Sequence, residues 1–255
     1  MVKLVKYEFR KKRAALLVIL GIILALEAYF LGSLIAEKDE HIVAAFVLIA
    51  ISVLGVAISV FALGVSSYSQ ELRQKSSYLV FMTPNSTLGI VASKYLFTFF
   101  LGLLFAVLMG ILTGLNYSLL HDYFGTLDGL YFTFDLLLTQ SGLPEIGAIL
   151  LRALFFFLSF FLELLSIVGV AYLSITLSAT LLQNKRGKGL VSFLLFALIS
   201  YGLNRLYRVW QSNEIDVVTM AQTIRALLPA ILQNGIVLVL TMLGCAWMLD
   251  RRLSL

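Results

Sequence analysis

An all-α integral membrane protein of six transmembrane helices is the fold class this sequence predicts, and three observations predict it. The chain contains six long apolar stretches, the short loops between them alternate between basic and acidic, and no stretch shows the two-residue alternation of a barrel strand. Composition agrees: 60% of residues are hydrophobic and 13% charged, and the mean hydropathy is +0.98, outside the range of a soluble domain. A bilayer core asks for about 20 apolar residues per helical span. The stretches 14–35, 42–66, 87–115, 146–182, 190–210 and 224–249 meet that demand.

Orientation follows from the basic residues. With the N-terminus placed in the cytoplasm, the inner segments collect 14 of the 19 Lys and Arg, among them Lys3, Lys6, Arg10, Arg73, Lys75, Lys94, Lys185 and Arg251. The outer segments carry Asp39, Glu40, Asp122, Asp128, Asp135 and Glu145 instead. Positive charge on the inside sets topology, so both termini are expected in the cytoplasm. The net charge of +5 is then a topology signal. No single face gathers it, so nucleic acid is not an expected partner.

Residues 1–13 open the chain, and Val2, Val5 and Phe9 recur at helical spacing opposite Lys3, Lys6 and Arg10. That is the pattern of a short helix lying in the inner interface. An apolar run of about 22 residues with no small-residue cleavage site follows it, which reads as an uncleaved first span. The tiny turn AEKDEH makes the first two spans antiparallel neighbours.

From Ser67 to Lys94 the sequence is too polar for a span and too patterned for a linker. Glu71–Ser77 favours helix, Pro84 stops it, and Asn85, Ser86 and Thr87 offer oxygens to cap the next span. Lys94 lies within that span, where its stem can reach back to the inner surface. The segment reads as a structured cytoplasmic elbow. The third span then carries Gly102, Ala106, Gly110 and Gly114 at four-residue spacing, a smooth stripe that reads as a helix-packing seam. Residues 116–145 read as an outer connection with short interfacial helices, rich in Tyr and Phe.

The fourth stretch, 146–182, would be about 55 Å long as one helix, so it must tilt, protrude or break against a hydrocarbon core of about 30 Å. The fifth ends among Arg205, Arg208, Tyr201 and Trp210, an outer belt directed to headgroups. Pro229 is expected to separate an outer interfacial helix from the last span. No internal repeat appears, and the chain reads as one membrane domain.

Catalytic equipment is absent from the sequence. There is no phosphate-cradling loop, no HExxH and no GxSxG, and His41 and His121 stand in separate loops without ligand spacing, so neither an enzyme nor a metal site is expected. The lone Cys245 permits no internal disulfide. Two carboxylates, Glu27 and Glu163, fall inside apolar spans, where a charge costs about 2.5–3.5 kcal/mol. They either line a transport path or sit neutral and hydrogen-bonded at helix contacts.

Six spans, a basic N-terminal interfacial helix and an elbow ending in a Pro-polar turn and a Lys resemble the membrane (permease) subunit of a type-2 ATP-binding-cassette (ABC) exporter. The local likeness lies in ELRQKSSYLVFMTPNSTLGIVASK, ending at Lys94. The resemblance implies that Glu71, Leu72, Arg73, Gln74 and Lys75 form a coupling helix docking into a separate ATPase subunit. It further implies two copies of that subunit holding ATP and magnesium, no cofactor on this chain, and a second permease subunit, identical or homologous, beside it in the bilayer. The cargo would be a hydrophobic or amphipathic compound such as an antibiotic, peptide or lipid. Two other readings stand beside it: a secondary transporter driven by an ion gradient, and a non-transporting immunity or sensing scaffold.

Overall fold

The computed structural model describes residues 2–73, 86–124, 146–181, 187–210 and 220–253. Within them the chain forms six helices: α1 (Val2–Ile35), α2 (Asp39–Arg73), α3 (Thr87–Phe124), α4 (Ile146–Leu181), α5 (Lys188–Trp210) and α6 (Met220–Leu253). All six are long and apolar enough to cross a membrane. This is the construction of a multi-pass membrane protein, in which the backbone N–H and C=O groups of each helix interior are satisfied within that helix.

Several helices outrun the spans read from sequence. α1 is unbroken from Val2, so no separate interfacial helix precedes the first span. Its apolar residues Val5 and Phe9 pack inward, with Phe9 edge-on to Phe97 at 5.0 Å, while Lys3, Lys6 and Arg10 stay exposed. α2 continues past 66 to Arg73, and α3 continues past Asn116 to Phe124. α4 spans its whole stretch as one 36-residue helix. Pro229 lies inside α6 rather than between two elements. Ending a helix within a bilayer would strand backbone groups away from water, so carrying on through the proline is the cheaper course. The expected interfacial helices of the 116–145 connection fall, beyond Phe124, outside the described residues.

The turn between α1 and α2 closes by a recognisable device. Lys38 N–H donates to the Ser33 carbonyl at 3.4 Å and Glu37 N–H to the Leu34 carbonyl at 3.2 Å. Those are the two reverse bonds of a Schellman motif, which needs a left-handed residue just beyond the helix. Glu37 supplies it with φ 51°. At the start of α3, Ser86 accepts from the Gly89 N–H at 3.2 Å, the expected cap.

Three apolar clusters hold the bundle. Ile23, Val56, Val60, Phe97 and Leu101 join α1, α2 and α3. Phe30, Ile42, Ala45 and Leu120 close the end of the bundle at the α1–α2 turn, called here the far end. Tyr68, Val91, Val168, Tyr172 and Cys245 tie α2, α3, α4 and α6 together nearer the other end. The most extensive helix pair is α4 with α6, and glycine makes that approach possible. A Cβ at Gly169 would lie 2.5 Å from Thr241 Oγ1 and 2.6 Å from the Tyr95 hydroxyl. α5 packs mainly along α4 and leaves Leu190, Phe193, Leu198 and Tyr201 exposed; in lipid such exposure carries no penalty, since acyl chains are as apolar as leucine.

The close approach at Gly169 makes a direct test. Gly169→Ala forces α4 from α6 and is expected to destabilise by about 1–3 kcal/mol, the usual cost of overpacking. Gly110→Ala meets nothing within 4 Å and should stay within about 0.5 kcal/mol. Thermal unfolding of the detergent-solubilised protein, followed by labelling of the single, buried Cys245, measures both.

Candidate functional site

At the near end of the bundle, the first turns of α1, the last turns of α2 and the first turns of α3 meet around charge. Helical spacing puts Glu8 and Lys12 on one face of α1, and Ser67, Gln70 and Glu71 on one face of α2. Lys94 comes in from α3. Its Nζ donates to Glu8 Oε1 and to Glu71 Oε1 together. All three are buried, Glu8 to 1%, Lys94 to 2% and Glu71 to 7% exposure. Ser67 donates its hydroxyl to the second oxygen of Glu8. Lys12, also buried, donates to Ser66 Oγ at 2.9 Å and to Gln70 Oε1 at 3.0 Å.

The charges balance. Two carboxylates on one ammonium leave a negative excess, and Lys12, one turn along α1 from Glu8, cancels it. Balance matters because buried charges lose several kcal/mol each to desolvation and recover it only through close, fully hydrogen-bonded partners.

From this cluster a column of hydroxyls runs inward. The Lys94 carbonyl accepts from Thr98 Oγ1 at 3.0 Å, and the Tyr172 hydroxyl lies 3.4 Å from Thr98 while donating to the Gly64 carbonyl at 3.1 Å. Tyr68 pairs with Thr176 at 2.6 Å and Tyr95 with Thr241 at 3.0 Å. The three rings pack together, Tyr68 stacked on Tyr172 at 4.3 Å and Tyr95 edge-on at 5.1 Å. A Cβ at Gly64 would stand 2.7 Å from Thr98 Oγ1, so glycine again sets the helix spacing.

The docking set read from sequence is divided by this geometry. Glu71 is the last-turn carboxylate of α2 and faces Lys94, because the helix continues to Arg73 and keeps that face toward α3. Leu72 is half-buried against the tyrosine cluster. Arg73 ends α2, while Gln74 and Lys75 lie outside the described residues. Lys94, expected to reach back to the surface, is instead drawn inward by the two carboxylates.

Glu27 meets Asn116 of α3, whose Nδ2 donates to Glu27 Oε2 at 3.1 Å. Asn116 is fully buried in the helix, not the start of a loop. Glu163 lies exposed on α4, in line with the exposed Phe160 and Ile167, and is not brought to Glu27. Among the described residues the small-residue stripe meets another helix at one end only. Of its members Gly102 approaches Phe161, whose ring carbon would stand 3.1 Å from an added Cβ, whereas Gly110 and Gly114 face open space. Ala106, Gly110 and Gly114 line an apolar groove of about 870 Å³ with Val56 of α2 and Phe160 and Leu164 of α4.

Glu8, Lys12, the three tyrosines and Asn116 escaped the sequence reading. One signal was present: Glu8 is the sole acid in the basic run 1–13, and an acid on the inward face of such a helix calls for a cation elsewhere. Among the described residues no three His, Cys, Asp or Glu gather as a metal site. The cluster ties three helices together.

Its worth can be measured. Lys94→Met leaves two buried carboxylates face to face and should cost about 3–5 kcal/mol, the loss seen when one partner of a buried pair is removed. Replacing Glu71 by Gln in the same chain should return most of that, since the one remaining carboxylate, Glu8, is then balanced by Lys12 one turn away. Thermal unfolding of the single and double variants reads the difference.

No family model matches the sequence, and no curated protein or solved structure matches it either.

Proposed function

We propose that the chain is the membrane subunit of an ATP-driven transporter of the type-2 ABC exporter kind, moving a hydrophobic or amphipathic compound out of a bacterial cell. Two ATPase subunits carrying ATP and magnesium would dock at the near end, and a second permease subunit, identical or homologous, would complete the pathway. The observation that carries this reading is the ion cluster. Glu71 sits in the last turn of α2, just before the 74–85 segment, and Lys94 lies two turns into α3 on its other side. A push on that segment reaches Glu71 through the end of α2 and Lys94 through the first turns of α3, and through Glu8 it reaches α1. The cluster thereby turns a docked elbow into a handle on three spans. The uncharged groove between α2, α3 and α4 suits apolar cargo.

In this assignment Arg73, Gln74 and Lys75 make the contact with the ATPase, and Glu71 passes the movement inward. Coupling of that kind is reciprocal, so cargo binding should alter nucleotide affinity. An ion-gradient carrier is the second reading, and the buried carboxylates with their hydroxyl column favour it over a passive scaffold.

Purification after co-expression with neighbouring genes separates them. An ATPase subunit is expected to remain bound, and Arg73→Ala with Lys75→Ala should weaken its retention at least about fivefold, the effect of losing about 1 kcal/mol at an interface. Glu71→Gln should keep the subunit bound while abolishing the response of ATP hydrolysis to cargo. A chain that purifies alone and transports only under an ion gradient would sink the exporter reading.

A further inference from the structure

A second expensive polar group lies far from the ion cluster. Glu27 sits on α1 roughly 12 Å from the helix end at Ile35, taking eight residues at about 1.5 Å each. The buried Ile23 and Phe30 flank it on the same face. Across from it on α3, Asn116 is 0% exposed and sits between Leu112 and Leu120. Its Nδ2 donates to the Glu27 carboxylate. Its Oδ1 is buried and has no hydrogen-bond partner among the described residues. Turning the amide over brings no relief, since that would set an amide oxygen against a carboxylate and leave the amide hydrogens bare.

We propose that Glu27 and Asn116 form a binding site for one small monovalent cation, an alkali-metal ion or a primary ammonium group. The single hydrogen bond holds the amide and the carboxylate side by side, so the free Oδ1 and the carboxylate oxygens come within reach of one ligand. That ligand must satisfy two demands at once: it must offset a charge placed in hydrocarbon, and it must give Oδ1 a donor or a metal contact. A water meets the second demand and not the first; a neutral Glu27 carboxyl donating to Oδ1 would meet both with no ligand, and equal melting in every salt is the outcome that marks it. An alkali ion or an ammonium meets both. Divalent calcium asks for six to eight oxygens, more than one carboxylate and one amide provide. Glu27 is half-buried rather than sealed, which leaves its carboxylate a way of approach.

The inference stands apart from the exporter reading, because the site requires no ATPase. The test uses the full chain, purified with whatever partner accompanies it, and follows thermal unfolding through Cys245, the only cysteine and buried to 0% exposure. Melting is compared at equal ionic strength in choline, sodium, potassium and propylammonium chlorides. A cation that binds the folded state raises Tm by mass action, and a rise of about 3 °C or more over choline is expected with at least one of the three. Sodium or potassium alone would assign the site to a metal ion, and propylammonium to an organic ammonium. Glu27→Gln keeps an acceptor for the Asn116 amide and should fold, yet lose the shift. Asn116→Leu removes the unpaired oxygen and should lose it too. Equal melting in all four salts, or a shift that survives in both variants, would overturn the site.

Discussion

One ammonium shared between two buried carboxylates sets the terms for half of the bundle. Lys94 can be buried only because Glu8 and Glu71 reach it, and those two can be buried only because Lys94 neutralises part of their charge. The energy is not a surplus; desolvation takes most of what attraction gives. What the arrangement supplies is register. Rotating or sliding any of α1, α2 or α3 by a fraction of a turn would leave a buried charge without its partner, so the three helices have one acceptable alignment at this end.

The hydroxyl column extends that alignment to α4 and α6. Tyr172 and Thr176 come from α4, Thr241 and Cys245 from α6, and each finds its partner on α2, α3 or α4. Such bonds are directional but individually modest in a membrane, about 0.6 kcal/mol on average. Their placement depends on backbones coming close, and Gly64 and Gly169 are where that happens. Glycine is therefore spent on polar contacts between helices, while the more conspicuous glycine stripe of α3 faces a groove.

How much of this was legible in the sequence follows from which forces are local. Hydrocarbon thickness acts on every span separately, so the number and approximate place of the six helices could be read from apolar runs. Their ends could not, because polar residues were read as lying outside the spans: Asn116, Ser67 and Gln70 are helical, each with a partner on another helix. Pro229 misled for the related reason that a lipid environment raises the cost of breaking a helix. The groove, the inward turn of Glu71 and the capture of Lys94 depend on which helices are neighbours, and spacing within one helix carries no information on that. Glu8 was the exception, an acid whose isolation in a basic run marked it.

The distribution of the cluster along the chain fixes an order of assembly. Glu8 emerges with the first helix and Glu71 with the second, and 86 residues separate Glu8 from the Lys94 that binds it. Until α3 is made, both carboxylates lack their counter-ion and are best kept at the watery boundary, where the near ends of α1 and α2 can hold them. The first hairpin therefore enters lipid as an unfinished pair. Arrival of the third helix draws both acids out of water at once, which makes insertion of α3 the step that commits the growing chain to its final packing.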